Sequence, residues 1–240
     1  MKKIFCAFIA LIPLNFVRII LYKTIIRYNI SWNSRVGWLT FFYAKKVVCN
    51  KVNIGCFNYI DVKNFIAQDN CKIGRFNVFK LFNDIFIGKS STINSHNRFF
   101  GTRKGISPFK LVEKIDIGCN CVITNKHLFD ISDSITVGDN VTFAGSGTQV
   151  WTHGFDFSHT KIQAPVKLGS NIYVGTRSII IGGVSIADYV SIGAGTTVSS
   201  SIKESGFYVS SVVVRKNKSL DYSNSKNIVE YNGYKFVRKI

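Results

Sequence analysis

His153 lies in the segment VWTHGFDFSHTK, with Asp156 and His159 close behind it. An imidazole, whose ordinary pKa is about 6.5, is the side chain best suited to take up a proton near neutral pH. Most lone histidines are surface or structural residues, and nothing singles out His96, His127 or His159. His153 differs because it stands where a regular pattern stops and an irregular stretch begins. Metal chemistry is not expected: Cys119 and Cys121 form C-x-C rather than the C-x2-C of a structural zinc site, and no second pair matches them.

The elements that must hold this histidine follow from a period of six. Leu168, Val174, Ile180, Ile186, Ile192 and Val198 keep that interval, and Gly169, Gly175, Ala187, Gly193 and Ser199 directly follow five of them. Ile172, Val184 and Val190 form a second apolar series. Helices repeat at about 3.6 residues and strands at about 2. A six-residue apolar repeat flanked by small residues is the pattern of a parallel β-helix, in which short strands wind as stacked coils. The small residues suit corners where a Cβ would clash or φ must be positive. The period returns in Ile30, Val36, Phe42, Val48, Ile54, Ile60 and Ile66, and in shorter phrases such as Ile117 with Ile123. It breaks over residues 100–116 and 152–165, where loops pushed out from the stack are expected to carry binding residues. An all-β solenoid is expected over residues 30–203.

Residues 1–29 are apolar, nearly free of glycine, and predict an amphipathic helix. Lys2 and Lys3 precede an apolar run, but no small-residue cleavage site follows. Pro13, Asn15 and Arg18 interrupt the run before the roughly 20 residues that a membrane span requires. This segment is expected to lie on a membrane surface or to cap the first coil, whose edge would otherwise invite aggregation. The 240 residues include 31 Lys and Arg against 13 Asp and Glu, a net charge of +18. Such a balance suits anionic partners, although a solvated basic surface accounts for it equally well. Nucleic acid is disfavoured, because the basic residues are scattered and no binding motif appears. The six cysteines are expected to be reduced and mostly buried, as in the cytoplasm. Residues 204–240 are expected to form a tail with a hairpin about Asn232-Gly233.

Two blocks resemble the hexapeptide-repeat acyltransferases: VKLGSNIYVGTRSIIIGGVSIADYVSIGAGTTVSSSI, residues 166–202, and ITVGDNVTFAGSGTQVWTHG, residues 135–154. The similarity is to galactoside and maltose acetyltransferases and to polysaccharide O-acetyltransferases. It covers residues 115–216, while the earlier coils share only the period. The resemblance implies a left-handed parallel β-helix with an N-terminal helix and a short C-terminal extension. It also implies a homotrimer, acetyl-CoA as acyl donor between neighbouring solenoids, a saccharide acceptor in the same cleft, and no metal. His153 matches the general base, and Asn125 an asparagine that contacts the acceptor or intermediate. Asp133 matches an acidic acceptor-binding residue, or Asp130 does if one residue is skipped. Thr176 and Ala194 match positions beside the pantetheine arm, and Ser199 and Arg215 positions near the CoA nucleotide. Two departures stand out: Ser200 occupies a place often held by lysine, and FYVSSVVVRK lacks the usual glycine and proline.

The expected function is O-acetylation of a sugar hydroxyl in bacterial surface-polysaccharide biosynthesis, in the cytoplasm or at the inner face of the plasma membrane. The alternatives are an N-acetyltransferase acting on an amino-sugar nucleotide, and a non-catalytic scaffold or sugar-nucleotide-binding protein. The γ-class carbonic anhydrases share the fold, but the histidine spacing here does not resemble theirs.

Overall fold

The computed structural model describes residues 1–102, 113–210, 228–231 and 234–238. Its six-residue spacing becomes three short strands per turn of a coil. Along one face Val36 lies over Ile54, then Ile73, Ile93, Ile123, Phe143, Val174 and Ile192, each pairing parallel with the next. The architecture is a parallel β-helix. Every member of the series from Leu168 to Val198 points inward and is buried. The core between the faces is continuous, and Phe79, Phe99 and Phe129 stack along it at 4.6 and 4.7 Å between ring centroids.

The corner residues separate two reasons for smallness. A Cβ on Gly175 would fall 2.5 Å from the Ala194 backbone nitrogen of the next coil, so close approach excludes a side chain there. Positive φ on an exposed vertex is borne mostly by ordinary residues, among them Phe57, Phe76, His96, Lys126 and Arg177, and also by Gly147 and Gly195.

The early coils depart from the expected phase. Val48 and Ile66 are only half-buried, while Val47, Cys49, Phe65 and Ala67 point inward. The strands Phe41–Cys49 and Tyr59–Ala67 each run across a corner, and two successive residues there, such as Lys45 and Lys46, turn away from the core. That pair shifts the alternation by one. The period therefore marks the coils correctly but misassigns the inward residue beyond the corner.

A polar column that the apolar period does not mark runs inside another corner. Asn58 Oδ1 accepts the Asn77 N–H at 2.8 Å, Asn77 Oδ1 that of Asn97 at 2.8 Å, and Asn97 Oδ1 that of His127 at 2.9 Å. His127 Nδ1 then accepts from Thr148 N at 3.1 Å, and burial pushes its pKa down to about 4. His127 is thus a neutral structural residue, satisfying backbone donors that burial would otherwise leave costly.

Residues 1–29 form two helices rather than one: α1, Lys2–Leu11, and α2, Asn15–Thr24. Pro13 divides them, because proline forces the preceding residue out of helical geometry, and Ile12 is extended. Cys6, Ile9, Ile19 and Tyr22 join the solenoid core. Arg18 is buried and ties the pieces together, donating from Nε to the Val36 carbonyl at 2.9 Å and from Nη1 to the Ile12 carbonyl. Among the described residues no helix is long and apolar enough to cross a membrane. At the far end the stack runs past residue 203, since Gly206–Tyr208 pairs parallel with Val190–Ile192.

Candidate active site

The break at 152–165 is an antiparallel hairpin of His153–Phe155 with Lys161–Gln163. Strand Tyr234–Arg238 adds in parallel to Lys161–Gln163 and pairs antiparallel with Ile228–Tyr231. Residues 232–233 of the expected turn, and 103–112 of the other expected excursion, lie outside the described residues. The four strands form a small sheet beside the solenoid. His153 opens that sheet directly after the coil strand Gln149–Trp151.

His153 Nδ1 lies 2.6 Å from Asp130 Oδ2, on the coil below. Asp130 is fully buried, and each of its side-chain bonds has it as acceptor: from His153 N, Thr152 N and Thr152 Oγ1 at Oδ2, and from Ser132 Oγ at Oδ1. Such an acceptor holds the proton on Nδ1 and turns the lone pair of His153 to Nε2. Trp151 and Phe155 flank the imidazole edge-on, with centroids at 6.0 and 5.8 Å, and its side chain keeps 21 % of its surface. The arrangement commits Nδ1 of His153 to a buried carboxylate on a partly open edge, a geometry that suits Nε2 as a proton acceptor.

A directional relay stands behind this pair. Lys161 Nζ donates to Thr102 Oγ1 at 3.0 Å, Thr102 to Ser132 Oγ at 2.9 Å, and Ser132 to Asp130 Oδ1 at 2.8 Å. Burial pulls the Lys161 pKa down, opposed by the negative charges of Asp130 and Glu113. Burial likewise pushes Glu113 up to about 7, against the pull of Lys161. Only His153 of this group, with Asp130 as a substitute for Asp133, stood out in the sequence. The signal for Asp130 is its offset of one coil from His153, since residues one coil apart are neighbours in a solenoid. Ser132, Thr102, Lys161 and Glu113 carry no spacing signature.

The other expected site residues fall into two places. Asn125, Thr176 and Ala194 lie on one vertex: Asn125 pairs with Ser146, Thr176 Oγ1 donates to the Ser146 carbonyl at 2.7 Å, and Gly195, next to Ala194, donates its N–H to Thr176. Asn125 and Ala194 are exposed. Ser199 is exposed at the opposite end of the same solenoid face, after strand Thr197–Val198. Between the two edges run three-residue strands such as Leu128–Asp130 and Gln149–Trp151, a width of about 10 Å. His153 follows this face at one edge, and Asn125, Thr176 and Ala194 stand at the other. Asp133 is fully buried; its N–H donates to Thr152 Oγ1 at 2.8 Å, and its Oδ1 accepts the Ser134 N–H at 2.6 Å. Asp156 Oδ1 caps the hairpin tip, accepting from Thr160 N at 2.7 Å. Arg215 lies outside the described residues.

A fold of this kind hosts more than one chemistry. No protein-family model matches the chain. It is 30% identical over 83 residues to galactoside O-acetyltransferase of Escherichia coli strain K12, covering 35% of this chain and 40% of that protein. It is 28% identical over 110 residues to UDP-3-O-acylglucosamine N-acyltransferase of Delftia acidovorans, covering 45% of this chain and 32% of that protein. The chain thus spans less than half the length of either relative. Among solved structures, a hexapeptide-repeat acetyltransferase from Vibrio cholerae in complex with acetyl coenzyme A is similar, at 20% identity and a TM-score of 0.43. That match covers 56% of this chain and 70% of the Vibrio protein. Both sequence relatives are acyltransferases, and the chain is similar to part of each.

Proposed function

We propose that the protein transfers an acetyl group from acetyl-CoA to a sugar hydroxyl, with His153 as general base. The observation that carries this reading is the 2.6 Å bond from His153 Nδ1 to buried Asp130. Nε2 takes the hydroxyl proton as the acceptor oxygen attacks the thioester carbonyl. The same proton then goes to the departing thiolate, so the histidine ends neutral. Asp130 stabilises the imidazolium in between and keeps the ring aimed. A positioned base contributes about 10²–10⁴-fold, and holding both substrates on one face supplies much of the rest. Asn125 is assigned to the acceptor, and Thr176, Ala194, Ser199 and Arg215 to the donor. Asp133 acts, in this reading, through the turn it holds beside Thr152. The working assembly is a homotrimer, and the acceptor is a surface-polysaccharide sugar met at a peripheral position on the membrane. The name of the Delftia relative supports a second reading, in which the acceptor is an amine of an amino-sugar nucleotide.

The test measures thiol release from acetyl-CoA with panels of sugars and of amino-sugar nucleotides. His153→Ala is expected to lose at least about 10²-fold in turnover while still binding CoA. Unchanged turnover in that variant overturns the assignment, and activity confined to amines selects the second reading.

A further inference from the structure

We propose that the N-terminal cap and the vertex beside it form a docking surface for an anionic lipid bilayer. This gives a surface to the peripheral placement in the preceding reading, and it holds or fails independently of acyl transfer. Helix α1 already buries Cys6 and Ile9 against the solenoid. Its other face leaves Ile4, Phe5, Phe8 and Leu11 46–63% exposed, and Leu14 and Phe16 behind it 65% and 68% exposed. Nothing in the fold requires these outward side chains to be apolar.

The apolar surface continues down the solenoid. Trp38 Nε1 donates to the Leu11 carbonyl at 3.1 Å, joining the end of α1 to the vertex. There Trp38, Phe57 and Phe76 follow one another on successive coils, with ring centroids 6.3 and 5.0 Å apart. All three are at least 41% exposed. Phe57 and Phe76 occupy the positive-φ corner position that His96, Lys126 and Arg177 hold on later coils, so the early coils put aromatic rings where the later ones carry polar side chains.

Charge selects the occupant. The first 60 residues contain nine lysines and arginines and no aspartate or glutamate. Arg18 is buried, and the first acid, Asp61, is paired with Lys3 at 2.5 Å. Beside the aromatic vertex lies a groove lined by Arg35, Lys72 and Arg75. Lys23 sits 4.9 Å over the exposed ring of Trp32. Apolar side chains rimmed by cations, with carboxylates withheld, match a bilayer whose acyl boundary takes the aromatics and whose phosphates meet the cations. A second copy of the same surface would set cation against cation.

The test is co-sedimentation of the full chain with vesicles of phosphatidylcholine alone and of phosphatidylcholine mixed with phosphatidylglycerol. Binding is expected on the mixed vesicles, about tenfold or more above phosphatidylcholine alone, and falling as salt is raised. The double variant Phe8→Glu, Phe16→Glu should lose most of that binding with an unchanged unfolding transition, because both side chains are exposed. Arg35→Glu with Arg75→Glu should lower it with the apolar face intact. His153→Ala should bind vesicles as the wild type does, which separates this surface from the chemistry. Equal affinity for both vesicles, or full binding by the Phe8/Phe16 variant, overturns the proposal. So does a wild type that ignores vesicles while that variant breaks up an assembly seen by sedimentation, since the surface would then join copies of the chain.

Discussion

An imidazole becomes a base of fixed direction when one of its nitrogens is committed, and Asp130 commits Nδ1 of His153. Asp130→Asn keeps the size but offers the ring either an amide donor or a weaker acceptor. We expect a loss of about 10²-fold or more in kcat with little change in the donor's Kd, read from steady-state kinetics and calorimetry. Glu113 gives a second handle. Its carboxyl is raised to about 7 by burial, above its unfolded value, so the neutral form is the one the fold prefers. The stability it contributes is full below about pH 4.5 and is lost as pH rises through 7. Glu113→Gln should therefore flatten the decline in unfolding midpoint across that window, measured by thermal melts at successive pH values. At this scale the sequence is legible only where a residue interrupts a pattern. His153 does so; Ser132, Thr102 and Lys161 meet it through contacts between 21 and 59 residues distant in sequence, which no local spacing marks.

At the scale of elements, the period of six reveals the coils and their breaks. It fails where a strand turns a corner without stopping, as at Lys45 and Lys46, because two outward residues in succession shift the phase. It also cannot show that the 152–165 excursion is extended by strand Tyr234–Arg238. That strand buries Phe236 and Val237, and Lys161 Nζ lies 5.9 Å from the Phe236 ring. Removing residues 228–240 should leave the solenoid's circular dichroism intact but loosen Lys161 and the hairpin, with a fall in turnover of up to about 10²-fold. Full activity in the truncated chain would count against a positioning role for the small sheet. In the core, Phe99 stands between Phe79 and Phe129. Phe99→Ala should cost about 3–5 kcal/mol in denaturant unfolding, because stacked coils on both sides prevent the cavity from collapsing.

For the whole molecule, stacking makes each coil the template of the next. Asn58, Asn77, Asn97 and His127 pass hydrogen bonds from one coil to another along the axis, so stability accumulates between neighbours. The two N-terminal helices close the first coil. A donor bound as proposed, along the face between Asn125 and Ser199, should stiffen several coils together. At acetyl-CoA concentrations 100 times its Kd, about 2.7 kcal/mol of added stability is expected, visible as an upward shift of the thermal midpoint. No shift in a correctly assembled protein would favour the scaffold reading.

The hairpin that carries His153 is hung from anchors it does not build. Trp151 is fixed by its pairing with Ile181, and Val166 by its pairing with Ile135. The gap it must bridge is therefore set by the stack, whatever its length. Closing such a gap costs only about 0.6 kcal/mol more for each doubling of the loop, and the core takes no part in the change. The edge that holds His153 and the scaffold can thus vary on separate terms: insertions between residues 154 and 162 would redraw the surface beside the imidazole, while Asp130, one coil away, holds the ring to the same aim. Under the proposed reaction, a family of chains could exchange acceptors by editing this one margin, and each would inherit the same chemistry.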